Sequence, residues 1–273
     1  MTKLLTREKS FMIITADIHS HTTYSDGKNS PREMICAAID KGLKTFGITD
    51  HAHMITPATW MMPYDKTDEY ISVINDLKIE FKDRIKVLCG IEYDYISDID
   101  LYNYDYVIGS VHYIEKDGNY YSIDHTKDCM TDAIRDHFGG NPYHYCEQYF
   151  AQLSSLASNP NISIIGHFDL VEKYNESGII FDRNDSRYIK AAVAAMEKLN
   201  SAGKVFEINT GAMSRVGRSV PYPSEYLLRT LKEMGGKIIF SSDAHSSSTI
   251  AFAFDRVADL VERCGFSDYE RLC

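Results

Sequence analysis

Seven short β-rich apolar runs punctuate this 273-residue chain, and six of them end in side chains able to ligate a metal ion. The runs are Phe11 to Ile18, Thr45 to Thr49, Ile85 to Glu92, Tyr104 to Val111, Ile162 to Gly166, Lys204 to Asn209 and Lys237 to Ser241. The first leads into Asp17-Ile18-His19-Ser20-His21 and the loop Thr22-Thr23-Tyr24-Ser25-Asp26-Gly27, and the second into Thr49-Asp50-His51. The third ends at Gly90-Ile91-Glu92, the fourth at Gly109-Ser110-Val111-His112, the fifth at Gly166-His167-Phe168-Asp169 and the seventh at Ser242-Asp243-Ala244-His245. The sixth ends at Asn209-Thr210-Gly211 and is followed by two arginines, Arg215 and Arg218. Parallel strands in a barrel deliver their C-terminal ends to one mouth, so side chains from distant parts of the sequence converge there.

Side chains at i and i+2 on a strand share a face, so His19 with His21, and Asp243 with His245, can grip one cluster. Imidazole and carboxylate together suit zinc, iron or manganese, and a carboxylate such as Glu92 can bridge two ions. Each piece alone is weak, since a lone His-x-His on a strand is more often incidental. The set is stronger: six of the ten histidines (His19, His21, His51, His112, His167 and His245) fall at or just beyond strand ends, beside Asp26, Glu92 and Asp243. Of the others, His125, His137 and His144 sit in an irregular stretch and read as solvated or packed, while His53 follows Asp50-His51 and either faces the pocket or does not.

Strands alternating with amphipathic helical patterns, without repeat or linker, predict a single α/β domain over residues 1–273. Ser30-Pro31-Arg32-Glu33 is a capping box with proline at the first helical position, and Gly42 is placed to stop that helix. Asp185 or Ser186 opens a helix through Ala191 to Leu199, and Ser224 opens another through Leu231. Asn141-Pro142, Thr67 and Thr249 open three more. Between Val111 and Asn141 the pattern fails: Asp117-Gly118 predicts a hairpin, followed by a polar excursion.

A composition of 44% apolar and 25% charged residues excludes disordered and fibrous classes. No apolar run spans a membrane, and Met1 to Ile14 does not read as a signal peptide. Six cysteines without a Cys-x-x-Cys pair read as reduced thiols, with Cys89 in the core, which predicts a cytoplasmic protein. A net charge of −10 argues against a long nucleic-acid footprint. It remains compatible with a cationic pocket, because ligating carboxylates count as negative while their ions are left out.

Taken in order, Asp17-x-His19-x-His21-Thr22-x-x-Ser25-Asp26-Gly27, Ile48-Thr49-Asp50-His51, Gly90-x-Glu92, Ser110-x-His112, Gly166-His167 and Ser242-Asp243-Ala244-His245 resemble the PHP (polymerase and histidinol phosphatase) family over nearly the whole chain. The resemblance implies a distorted (β/α)7 TIM-like barrel and a site for two to three divalent transition ions (Zn, Fe or Mn). It implies that His19, His21, Glu92 and Asp243 hold one ion, that Glu92 bridges to a second held by His112 and His167, and that Asp26, His51 and His245 hold a third. Within the family, Glu207-Ile208-Asn209-Thr210-Gly211, Pro221-Tyr222-Pro223-Ser224 and Gly90-Ile91-Glu92-Tyr93-Asp94-Tyr95 resemble the stand-alone histidinol-phosphate phosphatases. The family arginine falls about one residue earlier, at Ser214 here, which leaves Arg215 and Arg218 both open for phosphate binding.

The resemblance implies cleavage of a small phosphate monoester, histidinol phosphate foremost, and a metal-bridging hydroxide is the expected nucleophile. Arg215 or Arg218 supplies a bidentate fork for the phosphoryl oxygens. Asp50, His53 and Asp169 are candidates for the acid that protonates the leaving alkoxide, and Asp169 could instead brace a ligating histidine. Three further readings stay open: a phosphoesterase acting on nucleotides or short oligonucleotides, an amidohydrolase, and a non-catalytic metal-binding protein.

Overall fold

The structure, a computed structural model, describes residues 12–56 and 58–272. In chain order the elements are β1 (Ala16–Asp17), α1 (Pro31–Asp40), β2 (Thr45–Ile48), α2 (Thr67–Phe81), β3 (Lys86–Asp94), β4 (Tyr106–Ser110), β5 (Tyr113–Lys116), β6 (Asn119–Ser122), α3 (Lys127–His137), α4 (Pro142–Ser155), β7 (Ile164–Ile165), α5 (Ser186–Ser201), β8 (Val205–Asn209), α6 (Gly211–Arg215), α7 (Glu225–Glu233), β9 (Lys237–Ser241) and α8 (Phe254–Arg263).

Seven strands pair in the order β1-β2-β3-β4-β7-β8-β9, every neighbour parallel. The ends of this sheet meet. Ser20 bridges to Ala244, and the amide of His21 donates to the Ala244 carbonyl at 2.8 Å. The buried Asp17 carboxylate stitches the same seam, accepting from the amides of Ser242 and Ala251 at 2.9 Å each. Burial pushes its pKa up to about 6 against these bonds. The result is a nearly closed, distorted (β/α)7 barrel.

Ala16, Ile18, Leu88, Tyr106, Ile108, Ile164 and Ile239 form a small cluster of their own, apart from the larger core that joins sheet and helices. The Tyr106 hydroxyl donates to the Ile18 carbonyl. A Cβ on Gly47 would fall 1.9 Å from that hydroxyl oxygen, and one on Gly90 2.6 Å from the ring, so glycine at both positions makes room for the tyrosine.

Helix ends follow local chemistry. The Ser30–Glu33 capping box is formed, and Asp185 and Asn141 cap α5 and α4 through their side chains. Thr67 is the first residue of α2, behind a 3-10 turn and without a side-chain cap.

Two expectations need correction. Thr249 does not open the last helix; it ends a short 3-10 turn, and α8 begins at Phe254. The intervening Ala251 and Ala253 take positive φ (53° and 57°), and the amide of Ala251 is held by Asp17 at the seam. The polar excursion, for its part, contains structure. The β5–β6 hairpin turns at Asp117-Gly118, as that dipeptide predicts, and α3 follows, capped by Thr126. Only Met130, Ala133 and Ile134 of α3 are buried, too narrow a stripe to stand out in the sequence.

Phe11, at the start of the first run, lies outside the described residues. Among the described residues, no helix is long and apolar enough to cross a membrane. Five described cysteines, Cys89 in the core among them, are free thiols.

Candidate metal centre

All six strand-end ligand sets project into one mouth. His19 and His21 follow β1, His51 follows β2, Glu92 lies in β3, His112 follows β4, His167 follows β7, and Asp243 and His245 follow β9. Asp26 arrives on the loop after His21, which is folded around the buried Asp50. That carboxylate accepts from the Thr22 amide and hydroxyl at 2.7 Å each, and from the amide and hydroxyl of Ser25. A Cβ on Gly27 would stand 2.4 Å from the His21 carbonyl, so glycine alone lets the loop close.

The facing atoms fall into three groups. His19 Nε2, His21 Nε2, Glu92 Oε2 and Asp243 Oδ1 surround one point: His19–His21 is 3.1 Å, His19–Glu92 3.4 Å, His19–Asp243 3.9 Å, His21–Glu92 3.7 Å and His21–Asp243 3.2 Å. Ligands of a tetrahedral ion at about 2.0–2.2 Å stand about 3.4 Å apart, so the spacing suits such an ion. The other carboxylate oxygen, Glu92 Oε1, lies 2.9 Å from His167 Nε2 and 3.6 Å from His112 Nε2. Asp26 Oδ1 lies 3.2 Å from His245 Nε2, 3.7 Å from His51 Nε2 and 3.9 Å from His21 Nδ1. His51 also presents Nδ1 to Glu92 Oε2 at 2.7 Å, so the groups are contiguous. Buried His21 Nδ1 has no hydrogen-bond partner among the described residues, and the 2.7 Å approach of His51 Nδ1 to Glu92 Oε2 lacks hydrogen-bond geometry, as befits atoms shaped for a cation.

Neighbouring acceptors orient the rings. Glu207 Oε1 sits 2.6 Å from His19 Nδ1, and Asp94 Oδ2 sits 2.9 Å from His112 Nδ1. His245 Nδ1 lies 3.0 Å from the Asp243 carbonyl. With a proton on each Nδ1, the Nε2 lone pairs point into the cluster. Glu207 Oε2 also accepts from the His167 amide at 2.9 Å and from Asn209 Nδ2 at 2.8 Å, linking the candidate ligands His19 and His167 through one carboxylate. His167 and Asp243 adopt positive φ (20° and 48°), a conformation that non-glycine residues keep mainly at functional sites. Burial pushes Glu92 and Asp243 up, yet both are held well below the carboxylate range. Arg215 is the largest favourable charge on Asp243, and for Glu92 the imidazoles of His19, His51 and His112 act when they are protonated, a role that a bound cation would take over when the rings are neutral.

The two arginines part company. Arg215 lines the cavity at the mouth, its guanidinium 2.9 Å from both Asp243 Oδ2 and His245 Nε2. Arg218 does not reach the cavity: it is buried over the Tyr222 ring (4.7 Å) and donates to the Glu172 carbonyl. Its other amino group is 3.9 Å from the Glu172 carboxylate, whose pKa burial and nearby Asp169 push up to about 7. Arg218→Ala is therefore expected to remove the cation from a buried acidic pair and cost about 3–5 kcal/mol of stability. Urea unfolding measures this directly, and a loss below about 1 kcal/mol would assign Arg218 a minor role.

None of the three acid candidates lines the cavity. Asp50 is committed to the Thr22–Ser25 loop. His53 turns outward to Asp98 at 2.9 Å. Asp169 accepts from the Ser224 amide at 2.9 Å beside Arg218 and makes no hydrogen bond to His167, so it does not brace that ring. The cavity instead gains Ser122, Asp124, His125 and Lys173 from the excursion and the segment after His167, with Trp60 and Leu170 as apolar wall, in about 200 Å³. His125, expected to be merely solvated or packed, is exposed but lines this cavity.

A parallel barrel that brings eight His, Asp and Glu side chains within ligating distance of one another at one mouth, with His167 2.9 Å from Glu92, is a scaffold for several divalent ions. The family model that matches the chain is the PHP domain, over residues 17–211. The chain belongs to the PHP family. It is 30% identical over 249 residues to the probable histidinol-phosphatase of Deinococcus radiodurans, covering 87% of this chain and 89% of that protein. To the histidinol-phosphatase of Bacillus subtilis it is 25% identical over 272 residues, covering 91% and 98%. The fold matches the crystal structure of histidinol phosphate phosphatase from Lactococcus lactis, complexed with zinc, L-histidinol and phosphate. The TM-score is 0.70 at 23% identity, with 93% of this chain and 95% of that one covered.

Proposed function

We propose that this chain is a metal-dependent phosphomonoesterase that hydrolyses L-histidinol phosphate to L-histidinol and phosphate, a step of histidine biosynthesis. The observation that carries the reading is that eight His, Asp and Glu side chains are grouped closely enough to hold metal ions, beside a small cavity lined by Asp26, His51, His112, His167, Asp243 and the forked cation Arg215. Curated relatives matched over most of their length and named histidinol-phosphatase or probable histidinol-phosphatase support the substrate.

His19, His21, Glu92 and Asp243 would hold one ion, Glu92 with His112 and His167 a second, and Asp26, His51 and His245 a third. Such ions, when bound, lower the pKa of water toward neutrality and take up charge on the phosphoryl oxygens. The protein's own contribution is positional. Glu207 and Asp94 fix ring tautomers, the Asp50-tethered loop fixes Asp26, and Arg215 offers two parallel N–H groups to a phosphoryl edge. A cavity of about 200 Å³ and a net charge of −10 fit a small phosphorylated molecule rather than long nucleic acid. One barrel across residues 1–273 and free thiols in a reducing cytoplasm complete the reading.

Steady-state phosphate release tests it, with histidinol phosphate compared against mononucleotides, a phosphodiester and an amide panel. Histidinol phosphate is expected to give the highest kcat/KM, above about 10⁴ M⁻¹s⁻¹. A nucleotide or an amide cleaved faster would overturn the assignment.

A further inference from the structure

The geometry points to Asp124 as the residue that selects a cationic alcohol, receiving the ammonium group of the substrate's leaving half. This inference rests on the phosphomonoesterase reading above. Asp124 follows the β5–β6 hairpin, outside every segment that carries the metal-binding side chains. The amide of its neighbour Ile123 donates to the carbonyl of His112 at 2.9 Å, so the loop is pinned beside a member of the metal centre. The side chain faces the same cavity as Arg215 and is about a quarter exposed (23%).

One carboxylate oxygen of Asp124 takes Lys173 Nζ at 3.1 Å, and the other makes no hydrogen bond among the described residues. Lys173 is held independently, donating to the Asp124 backbone carbonyl at 2.9 Å, and Tyr174 donates to the same carbonyl at 2.7 Å. The loop and the lysine therefore keep their places when the free oxygen takes a second cation. Burial pushes Asp124 up, but the Lys173 ammonium at 3.1 Å pulls it down, so the group is a carboxylate throughout the working range.

A carboxylate in a phosphate-binding cavity is a handicap for a general phosphatase, because it repels every ester that lacks a cation of its own. It becomes a selector when the alcohol carries one. In histidinol phosphate the ammonium nitrogen is two carbons from the ester oxygen, which keeps it close to the reacting phosphate. The alternative role for Asp124 is to orient Lys173 toward phosphate, and that role makes no distinction between alcohols.

The test compares Asp124→Asn with wild type on histidinol phosphate and on the pair 2-aminoethyl phosphate and propyl phosphate, which differ by the ammonium group. Losing a charge-assisted contact should lower the aminoethyl-to-propyl ratio of kcat/KM by about 30-fold or more, chiefly through KM. Inhibition by free L-histidinol should weaken in parallel, a readout that survives slow turnover, while metal content and thermal melting verify the fold. A ratio and a histidinol inhibition constant both within about threefold of wild type would overturn the selection role and leave Asp124 as a holder of Lys173. Failure of the substrate reading looks different: wild type would then prefer another ester over histidinol phosphate, while the aminoethyl–propyl pair still decides Asp124.

Discussion

Glu92→Gln is expected to lower kcat/KM at least about a hundredfold and to reduce bound metal by at least one equivalent. Loss of partners that merely orient metal ligands already costs about 10–100-fold. This carboxylate has two faces. Oε2 lies 3.4 Å and 3.7 Å from the Nε2 atoms of His19 and His21, while Oε1 lies 2.9 Å and 3.6 Å from those of His167 and His112. Glutamine keeps the shape but has one oxygen. Whichever way the amide turns, an NH₂ faces one group of imidazole lone pairs, and that group loses an acceptor and a negative charge. The serine hydroxyl of Ser110, which donates to Oε1 at 2.7 Å, biases the remaining oxygen toward the His112–His167 side. The site around His19, His21 and Asp243 is then the one expected to empty. Elemental analysis after chelation and refilling, read beside steady-state rates, checks both halves. Full metal content with a rate within about threefold of wild type would end the bridging role.

The gathering of the candidate ligands at one mouth was legible because a barrel converts a one-dimensional cue, the residue that ends each strand, into a shared location. The i, i+2 rule found His19 with His21, and it reaches further: Asp94 stands two residues beyond Glu92 on β3, and it is the partner of His112. Glu207 carried a subtler sign, a lone acidic residue inside the apolar run Val205–Asn209. What it touches, His19 and the amide of His167, depends on which strands are neighbours. The arginines show where spacing fails. The one-turn helix α6 ends at Arg215, and Gly217, with φ of 74°, reverses the chain behind it. Three residues of separation thus send Arg215 to the cavity and Arg218 into the protein beside Glu172. The acid candidates lie away from the cavity for a related reason. A carboxylate next to a ligand in sequence satisfies its hydrogen bonds with whatever loop packs on it, as Asp50 and Asp169 do, and only the folded chain shows which loop that is. The cavity wall was hidden in the polar excursion, whose hairpin was readable and whose helix was not.

Arg215→Ala is expected to reduce kcat/KM for histidinol phosphate by about 30-fold to several thousandfold, the usual consequence of losing a charge-assisted pair of about 2–5 kcal/mol in a desolvated site. Among the described residues Arg215 is the single arginine lining the cavity, with a side chain about one-third exposed (32%) and so reachable by a ligand. Two planar N–H groups match a phosphoryl edge, whereas an ammonium offers charge without the fork, so Arg215→Lys should restore only part of the loss. A competing role is visible in the same geometry. The guanidinium lies 2.9 Å from Asp243 Oδ2 and is the largest favourable charge holding that buried carboxyl ionised. If Arg215 served chiefly to keep Asp243 in place, the alanine variant would lose metal in proportion to its rate. If it serves phosphate, metal content stays at the wild-type level while inhibition by inorganic phosphate weakens along with turnover. Unchanged phosphate inhibition together with kinetics within about threefold of wild type would leave phosphate recognition to the metal centre and Lys173.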